Sequence, residues 1–486
     1  MSEAPESPGD ADGSRLVPLA ARLLAAACLF LCISVVAERG AFPEDDALRH
    51  AAKAVADRDW SEILVLRPDV TVDSHPGWHA LLGLVRDLTG ARAPSLVLLS
   101  VFLVFCLVTL VPVFTLRRPE AWLLALVPLS VTSIGAIARW TIGRPFGVSI
   151  AFLLLLCLLW GRNPTRTSGA RQLALLGVCF GLVVWIHPSW HLYGLPIAAC
   201  CLARRWRLAL GLTGLLACGV TVAALLSGAP VAFVVQGVRH TLLALGTGTP
   251  SELVAEFGPS GGSPGFVGFV LLLLLWRHSR GAWRRDVVDD PLFALAALGW
   301  VVGLATLRVW SDWGIPAALV WIALELQEWL EERLPEKDPA RLLVTLAGAA
   351  AVSLSLTSSM GRPAELGSQV YAALLAPESE AALPEAGGIL YSDELAVFYQ
   401  LFYRAPTAPW RYMVGYEPAL MPPEDLEVFR EIRRRRSGES FAPWVRKMRP
   451  EDRMILRSVS GPPAVPGLEW MPVTQTVWSG RRTGAP

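Results

Sequence analysis

Charge is what this chain has least of. Only 17% of its 486 residues are Asp, Glu, Lys or Arg, against 53% hydrophobic. That balance excludes an ordinary soluble domain, and the length leaves room for many membrane spans. The net charge of +1 carries none of the basic excess of a nucleic-acid partner and no acidic tail. Lysine is nearly absent, at Lys53, Lys337 and Lys447 alone, so no arginine is special merely for not being lysine. The eight cysteines all lie in apolar runs and none in the polar C-terminal region, which points away from disulfide staples and thiolate metal sites and toward small core residues. The apolar runs are themselves almost free of ionisable groups. Intramembrane charge is the usual mark of ion-coupled transport, and here it is missing.

What is there is a succession of apolar runs. The first fifteen residues, rich in Pro, Gly, Ser and acids, read as a disordered tail. Leu16–Ala37 is too long for a cleaved signal core and reads as a retained first span. Further runs at about 94–116, 120–138, 145–160, 172–187, 192–203, 208–227, 264–276, 291–307, 314–330 and 341–358 bring the expected total to about eleven. Arginine clusters at 117–118, 162–171, 204–207, 277–285 and 333–341 fall in alternate loops, which the positive-inside rule makes cytoplasmic. The expected layout is a cytoplasmic tail (1–15), an α-helical polytopic membrane domain (16–358) with a first outer loop (38–93), and a C-terminal extracytoplasmic α/β domain (359–486). The last rests on alternating pieces: GGILYS, ELAVFYQLFY, RYMVGY, PEDLEVFREIRRRR and RMILRSV. The run Arg433–Arg436 reads as a solvated helix face.

The chemistry-bearing residues gather at the outer ends of the spans. Glu44, Asp45 and Asp46 follow the first span almost at once. From Asp46 the apolar residues Ala47, Leu48, Ala51, Ala52, Val55 and Ala56 recur at helical spacing, with Asp46, Arg49, His50 and Lys53 on the other side. This predicts an amphipathic helix along the membrane surface. The acids at its start are read in two ways, as caps that complement the helix dipole or as a base set whose members raise one another's affinity for a proton. A second helix is predicted from Pro76 in VDSHPGWHALLGLV, and the same shape recurs as HPSWH, His187–His191. Histidines four apart on a helix can bind zinc. A Pro-started helix with an interfacial Trp explains both segments as well.

This arrangement resembles the GT-C membrane glycosyltransferases, which use polyprenyl-phosphate-linked sugars. The resemblance rests on the acidic motif past the first span, Glu44–Asp46, and on Asp73, His75 and Pro76, which match a D-x-H-P signature as in protein mannosyltransferases. Within the superfamily the chain is similar to oligosaccharyltransferase catalytic subunits. SELVAEFGPSGG, Ser251–Gly262, is similar to their fifth outer loop, with Glu256 at its acidic position, and LRVWSDWGIPAALVW, Leu307–Trp321, to their late arginine-opened span, with Arg308. Where that family carries a second acidic, metal-binding pair, this chain reads ARWTIGRPFG, in which Arg139 and Gly143 fit and Arg144 and Pro145 take the acidic places. Where it carries an acceptor-reading Trp-Trp-Asp-Tyr-Gly motif, this chain has ILYSDELAVF, retaining Asp393 alone.

The resemblance implies a GT-C-like fold and transfer of a glycosyl group from a polyprenyl-phosphate donor at the outer face of a bacterial plasma membrane. The acceptor, whether protein, lipid or polysaccharide, is left open. Such a reaction needs a base, with Asp46 first and Asp45, Glu44 and Asp73 behind it. It also needs cations for the departing phosphate, with Arg144, Arg308 and Arg139 first and His75 and His187 behind them. Glu256 and Asp393 are candidates for the acceptor side. No cofactor is required by the sequence, and a divalent cation, Mg2+ or Mn2+, held by Asp46 with Glu256 stays an open option. A transporter or flippase of lipid-linked sugars, or a non-catalytic envelope assembly protein, are the rival classes. Transport predicts two repeated halves with broken spans, and beyond the HPxWH pair no wider repeat is found.

Overall fold

The computed structural model describes residues 10–38, 43, 45–160, 170–246, 258–279, 290–359 and 371–483. The helices run α1 (Asp10–Glu38), α2 (Asp46–Ala56), α3 (Pro76–Thr89), α4 (Ala93–Thr115), α5 (Pro119–Thr132), α6 (Phe146–Trp160) and α7 (Ala170–Ile186). They continue as α8 (Gly194–Leu202), α9 (Trp206–Leu226), α10 (Pro230–Gly246), α11 (Pro264–Ser279), α12 (Pro291–Gly303), α13 (Ile315–Arg333) and α14 (Ala340–Ser359). The C-terminal region adds β1 (Ile389–Tyr391), α15 (Leu395–Arg404), β2 (Arg411–Tyr412), α16 (Pro423–Arg435), β3 (Arg453–Arg457), β4 (Leu468–Pro472) and β5 (Val477–Arg482).

All of the predicted apolar runs fall on helices. Among the described residues, five segments are long and apolar enough to cross a membrane: Leu16–Glu38, Ala93–Thr115, Trp206–Leu226, Leu307–Arg333 and Ala340–Ser358. Five shorter apolar helices accompany them. The run at 120–138 is not one rod: α5 ends at Thr132, Ser133 leaves the helical region, and the short helix Ile134–Ala138 departs after a sharp bend. HPSWH also differs from HPGWH. His75 is the residue before α3, with Pro76 in its first turn, whereas His187 lies past α7 and His191 sits in a separate 3-10 turn, Trp190–Tyr193. The second histidine pair therefore does not share a helix.

The chain divides into two compact units, residues 1–41, 100–223 and 256–362, and residues 42–99, 224–255 and 363–486. The first is the apolar bundle. Its most enclosed segment is Leu307–Arg333: 89% of the residues in its 18-residue apolar stretch are buried, against 33% in those of Leu16–Glu38 and Ala340–Ser358. A hydrophobic segment covered all round is a central element, and leucines left exposed on outer helices suit lipid contact. α12 starts cleanly because Asp290 accepts from the Leu292 amide at 2.8 Å and Pro291 occupies the first helical position. Two glycines one turn apart, Gly299 and Gly303, let α12 press against the turn at Trp310–Gly314. A Cβ on Gly299 would lie 2.4 Å from the Gly314 Cα, and one on Gly303 2.4 Å from the Trp310 Cβ. Gly299→Ala is accordingly expected to destabilise the protein by about 1–3 kcal/mol, the usual cost of overpacking a core, read as a lowered unfolding midpoint in detergent.

The second unit joins the segment that follows α1 to the C-terminal region. The sequence reading placed a boundary at 359; the contacts group residues 42–99 and 224–255 with the C-terminal residues. The predicted strands and helices of the tail are all present, and β4 and β5, unpredicted, complete a five-stranded sheet of order β2-β1-β3-β5-β4. β1 pairs in parallel with β2 and β3, and β5 lies antiparallel to β3 and β4. Phe429 and Ile432 of α16 pack with Tyr391, Trp444 and Met454 in its core, while Arg433–Arg436 are exposed as expected. The loop between α2 and α3 is stitched to β2 and the turn after it: the Val65 amide donates to the Tyr412 carbonyl and the Arg67 amide to the Leu420 carbonyl, both at 2.9 Å. Gln236 of α10 closes the other end of the loop, accepting from the Thr71 and Val72 amides and donating to the Val72 carbonyl.

Candidate functional site

Predicted site residues occur in both units. In the bundle, Arg139 and Arg308 share one carboxylate. Arg139 donates from Nε and Nη2 to the two oxygens of Asp312 at 3.2 and 3.3 Å, and its guanidinium also lies over the Phe146 ring, 4.7 Å from the centroid. Arg308 reaches the same carboxylate with Nε at 3.6 Å. Asp312 sits in a π-bulge, Trp310–Gly314, at the entry to α13. Such an extra residue in a helix turn re-aims a side chain and is frequent at functional sites. Without Asp312 two buried or half-buried cations would face each other, so its charge is what lets both arginines occupy an apolar bundle.

His187 completes the group. Arg308 Nη2 lies 3.3 Å from His187 Nε2, and because arginine only donates, Nε2 must carry the lone pair and Nδ1 the proton. That proton faces the hydroxyls of Ser149 and Ser189, 2.9 and 2.8 Å away. Ser149, His187, Ser189, Arg308, Asp312 and Trp313 line a small cavity together with neighbouring apolar residues. Arg144, the first-ranked phosphate ligand, is half-buried, and its carbonyl accepts from the Gly147 amide at the start of α6. Gly143 before it adopts φ +65, and a Cβ there would meet the Val101 amide nitrogen at 3.0 Å, so glycine is required by both conformation and space.

In the second unit, Asp46 is the best-placed of the predicted acids. Its Oδ1 accepts from Arg49 Nε at 2.7 Å and from the Tyr399 hydroxyl at 3.1 Å, leaving its side chain 23% exposed. Arg49 is 3% exposed and packs over the Tyr416 ring at 3.8 Å; the Tyr416 hydroxyl lies 3.3 Å from Ser74 Oγ. The helix α2 is amphipathic in sequence, yet its polar side, expected to face outward, is enclosed: Arg49 and His50 are as buried as Ala47 and Leu48. Asp45 occupies the position before α2 and makes no side-chain capping bond, so capping by that residue does not account for the acids. Glu44 lies outside the described residues.

Asp73, His75 and His79 surround the other end of the same group. Asp73 Oδ1 accepts from the His75 amide at 2.9 Å and from Trp60 Nε1 at 3.2 Å. Its Oδ2 lies 2.5 Å from His79 Nδ1, and His79 Nε2 lies 2.8 Å from His50 Nδ1. Burial works against an ionised Asp73, but the His79 ring and the His75 amide outweigh it and hold the carboxyl well below the usual range. Burial pushes His79 down, and burial with the nearby Arg49 cation pushes His75 well down. His79 spends both ring nitrogens on Asp73 and His50, so the zinc reading of His75 and His79 has no lone pair to offer from it.

A stability prediction follows from the two depressed histidines. Their folded affinity for protons is below that of the unfolded chain, so the stabilisation is complete above the ordinary histidine value near 6.5 and is lost as pH falls below it. The expected slope is about 1.4 kcal/mol per pH unit for each histidine. His75→Gln should remove one histidine's share of that slope, about 1.4 kcal/mol per pH unit, measured as unfolding midpoints in detergent from pH 7 to 5.

Asp393 lies just past β1, half-buried, its carboxyl raised by burial and by the neighbouring Glu394. It stands at the carboxyl end of a strand whose neighbours on both sides run parallel to it, where ligands of α/β sheets tend to bind. Glu256 lies outside the described residues. Among the described residues no three His, Cys, Asp or Glu side chains gather as metal ligands, and Asp46 already faces a guanidinium.

No family model matches the chain, and no curated protein matches it. Its fold is similar to that of ArnT from Cupriavidus metallidurans, in a crystal structure bound to undecaprenyl phosphate. The likeness covers 94% of this chain and 97% of that one, with a TM-score of 0.55 and 14% identity. The chain thus shares the fold of that protein, and its described residues include helices long and apolar enough to cross a membrane.

Proposed function

We propose that the protein is a membrane glycosyltransferase that takes a sugar from a polyprenyl-phosphate donor and passes it to an acceptor at the extracytoplasmic face of a bacterial plasma membrane. The observation that carries this reading is the fold, shared over nearly the whole chain with a protein whose structure holds undecaprenyl phosphate. In this reading Asp46 takes the acceptor's proton, the acceptor oxygen attacks the anomeric carbon, and the bond to the lipid phosphate breaks with inversion. Arg308 and Arg139, already gathered on Asp312, hold the phosphate as its charge grows, and Arg144 is assigned the same role. In this reading the N-terminus is cytoplasmic and the α/β region extracytoplasmic, which the arginine-rich loops support. The likeness to oligosaccharyltransferases rests on the stretches around Glu256 and Arg308. Asp393, at the carboxyl end of β1, is assigned to the acceptor.

The test is direct. Purified protein in vesicles is given a panel of labelled undecaprenyl-phosphate sugars, and release of undecaprenyl phosphate is followed. Release that requires Arg308 supports the reading. Absence of release across the panel, together with no shift of the unfolding midpoint on adding undecaprenyl phosphate alone, overturns it.

A further inference from the structure

Asp73 belongs to the motif that suggested a catalytic acid, but its surroundings give it different work. Its two oxygens accept three donors: the His75 amide and Trp60 Nε1 on Oδ1, and His79 on Oδ2. An ionised carboxylate only accepts, so His79 must carry its proton on Nδ1 and a lone pair on Nε2. That lone pair faces His50 Nδ1 at 2.8 Å, so His50 must in turn carry its proton on Nδ1. The rings are packed as well as bonded: His50 and His79 have centroids 5.0 Å apart, and His75 lies edge-on to His50 at 4.9 Å. His50 is on α2 one turn after Asp46, on the same helix face, and is 0% exposed.

We infer that Asp73 is a positioning residue: through His79 and His50 it fixes one tautomer along a buried chain and thereby locks α2, and with it Asp46, in place. This rests on the proposed role of Asp46. The chain explains why a carboxylate is needed at position 73. An asparagine there must turn its NH2 either toward the two N–H donors on Oδ1 or toward His79. The second choice forces the His79 proton onto Nε2, where it meets His50 Nδ1–H, so His50 must switch too. No asparagine rotamer satisfies both sides without changing two histidines. Displacing a reacting group by about 1 Å costs on the order of 10²-fold in rate.

The experiment has two arms. In the first, nitrogen-15 spectra of labelled histidine in the wild-type protein should show His50 and His79 both as neutral rings protonated on Nδ1, and Asp73→Asn should move both protons to Nε2. Either ring found as imidazolium or Nε2-protonated in the wild type overturns the chain, with no variant required. In the second, Asp73→Asn should lower kcat about 10–100-fold with the donor KM unchanged, while the acid limb of the pH–rate profile remains. That limb belongs to Asp46, whose carboxylate is contacted by Arg49 and Tyr399, shares a face of α2 with His50 and Lys53 by helical spacing, and acts electrostatically on His75. If Asp73 is itself the base, the limb disappears in Asp73→Asn, and the inference is wrong. Wild-type protein that shows the expected tautomers but transfers no sugar leaves the chain standing and removes the proposed function instead.

Discussion

Under the proposed function, Asp46→Asn is expected to lower glycosyl transfer by about 10²–10⁴-fold, the range that positioned general bases contribute, with little change in the donor KM. Asparagine keeps the shape of aspartate, and its carbonyl oxygen can still accept from Arg49 Nε and the Tyr399 hydroxyl, which both reach Oδ1. What it loses is the ability to take a proton. The fold should therefore survive and the chemistry should not. The measurement is undecaprenyl phosphate release under saturating donor, with the unfolding midpoint as a control on folding. Transfer at the wild-type rate by folded Asp46→Asn would exclude this residue as the base and pass the role to Asp45 or Glu44, which the same assay tests.

The second large effect is on stability. Glu120 at the start of α5 and Arg341 at the start of α14 form a buried pair, with Arg341 Nε and Nη2 on the two carboxylate oxygens at 2.7 and 3.2 Å. Arg341 also donates to the Glu336 carbonyl at 2.9 Å, and Arg118 Nη2 to the Leu334 carbonyl at 2.6 Å, with its Nη1 3.5 Å from Glu120. One carboxylate thus balances two arginines, and Arg341 and Glu120 are 0% and 1% exposed. Glu120→Gln leaves those charges without a counter-ion and is expected to cost about 3–5 kcal/mol, as for other buried pairs broken from one side. Arg117, 75% exposed beside Glu331, is the control: Arg117→Ala should change stability by no more than about 1 kcal/mol. Unfolding midpoints of the two variants in the same detergent decide the matter, and equal losses would contradict the account.

How far the site was legible in the sequence depends on the distance between its parts. Asp46, Arg49 and His50 lie within one helix turn and a half, so their shared face is set by helical spacing alone. The direction that face points is not. An amphipathic helix at the head of an outer loop reads as a membrane-surface helix, yet α2 is covered on its polar side because α3 brings His79 to His50 and α15 brings Tyr399 to Asp46, 353 positions away in the chain. Nothing local in ELAVFYQLFY marks Tyr399 as a partner of an acid. Asp73 and His79 were visible as a motif, but whether the histidine serves a metal or a carboxylate depends on what stands at its two nitrogens. Arg139 and Arg308 were found as cations at span ends; Asp312, which lets them coexist, reads in sequence as one more polar residue.

The sequence by itself determined that the chain is a helical membrane protein with a mixed α/β tail, because hydrophobic run length and periodicity are local properties that the solvent on either side reads directly. It also determined which segments could carry chemistry, since ionisable groups are costly within apolar runs and collect at their ends. Only the tertiary structure decided how those groups are used. A carboxylate serves as base, anchor or counter-ion according to the donors that converge on it: Tyr399 reaches Asp46 across 353 positions and Arg139 reaches Asp312 across 173, while Asp73 gathers Trp60, His75 and His79 from within its own loop and the helix that follows.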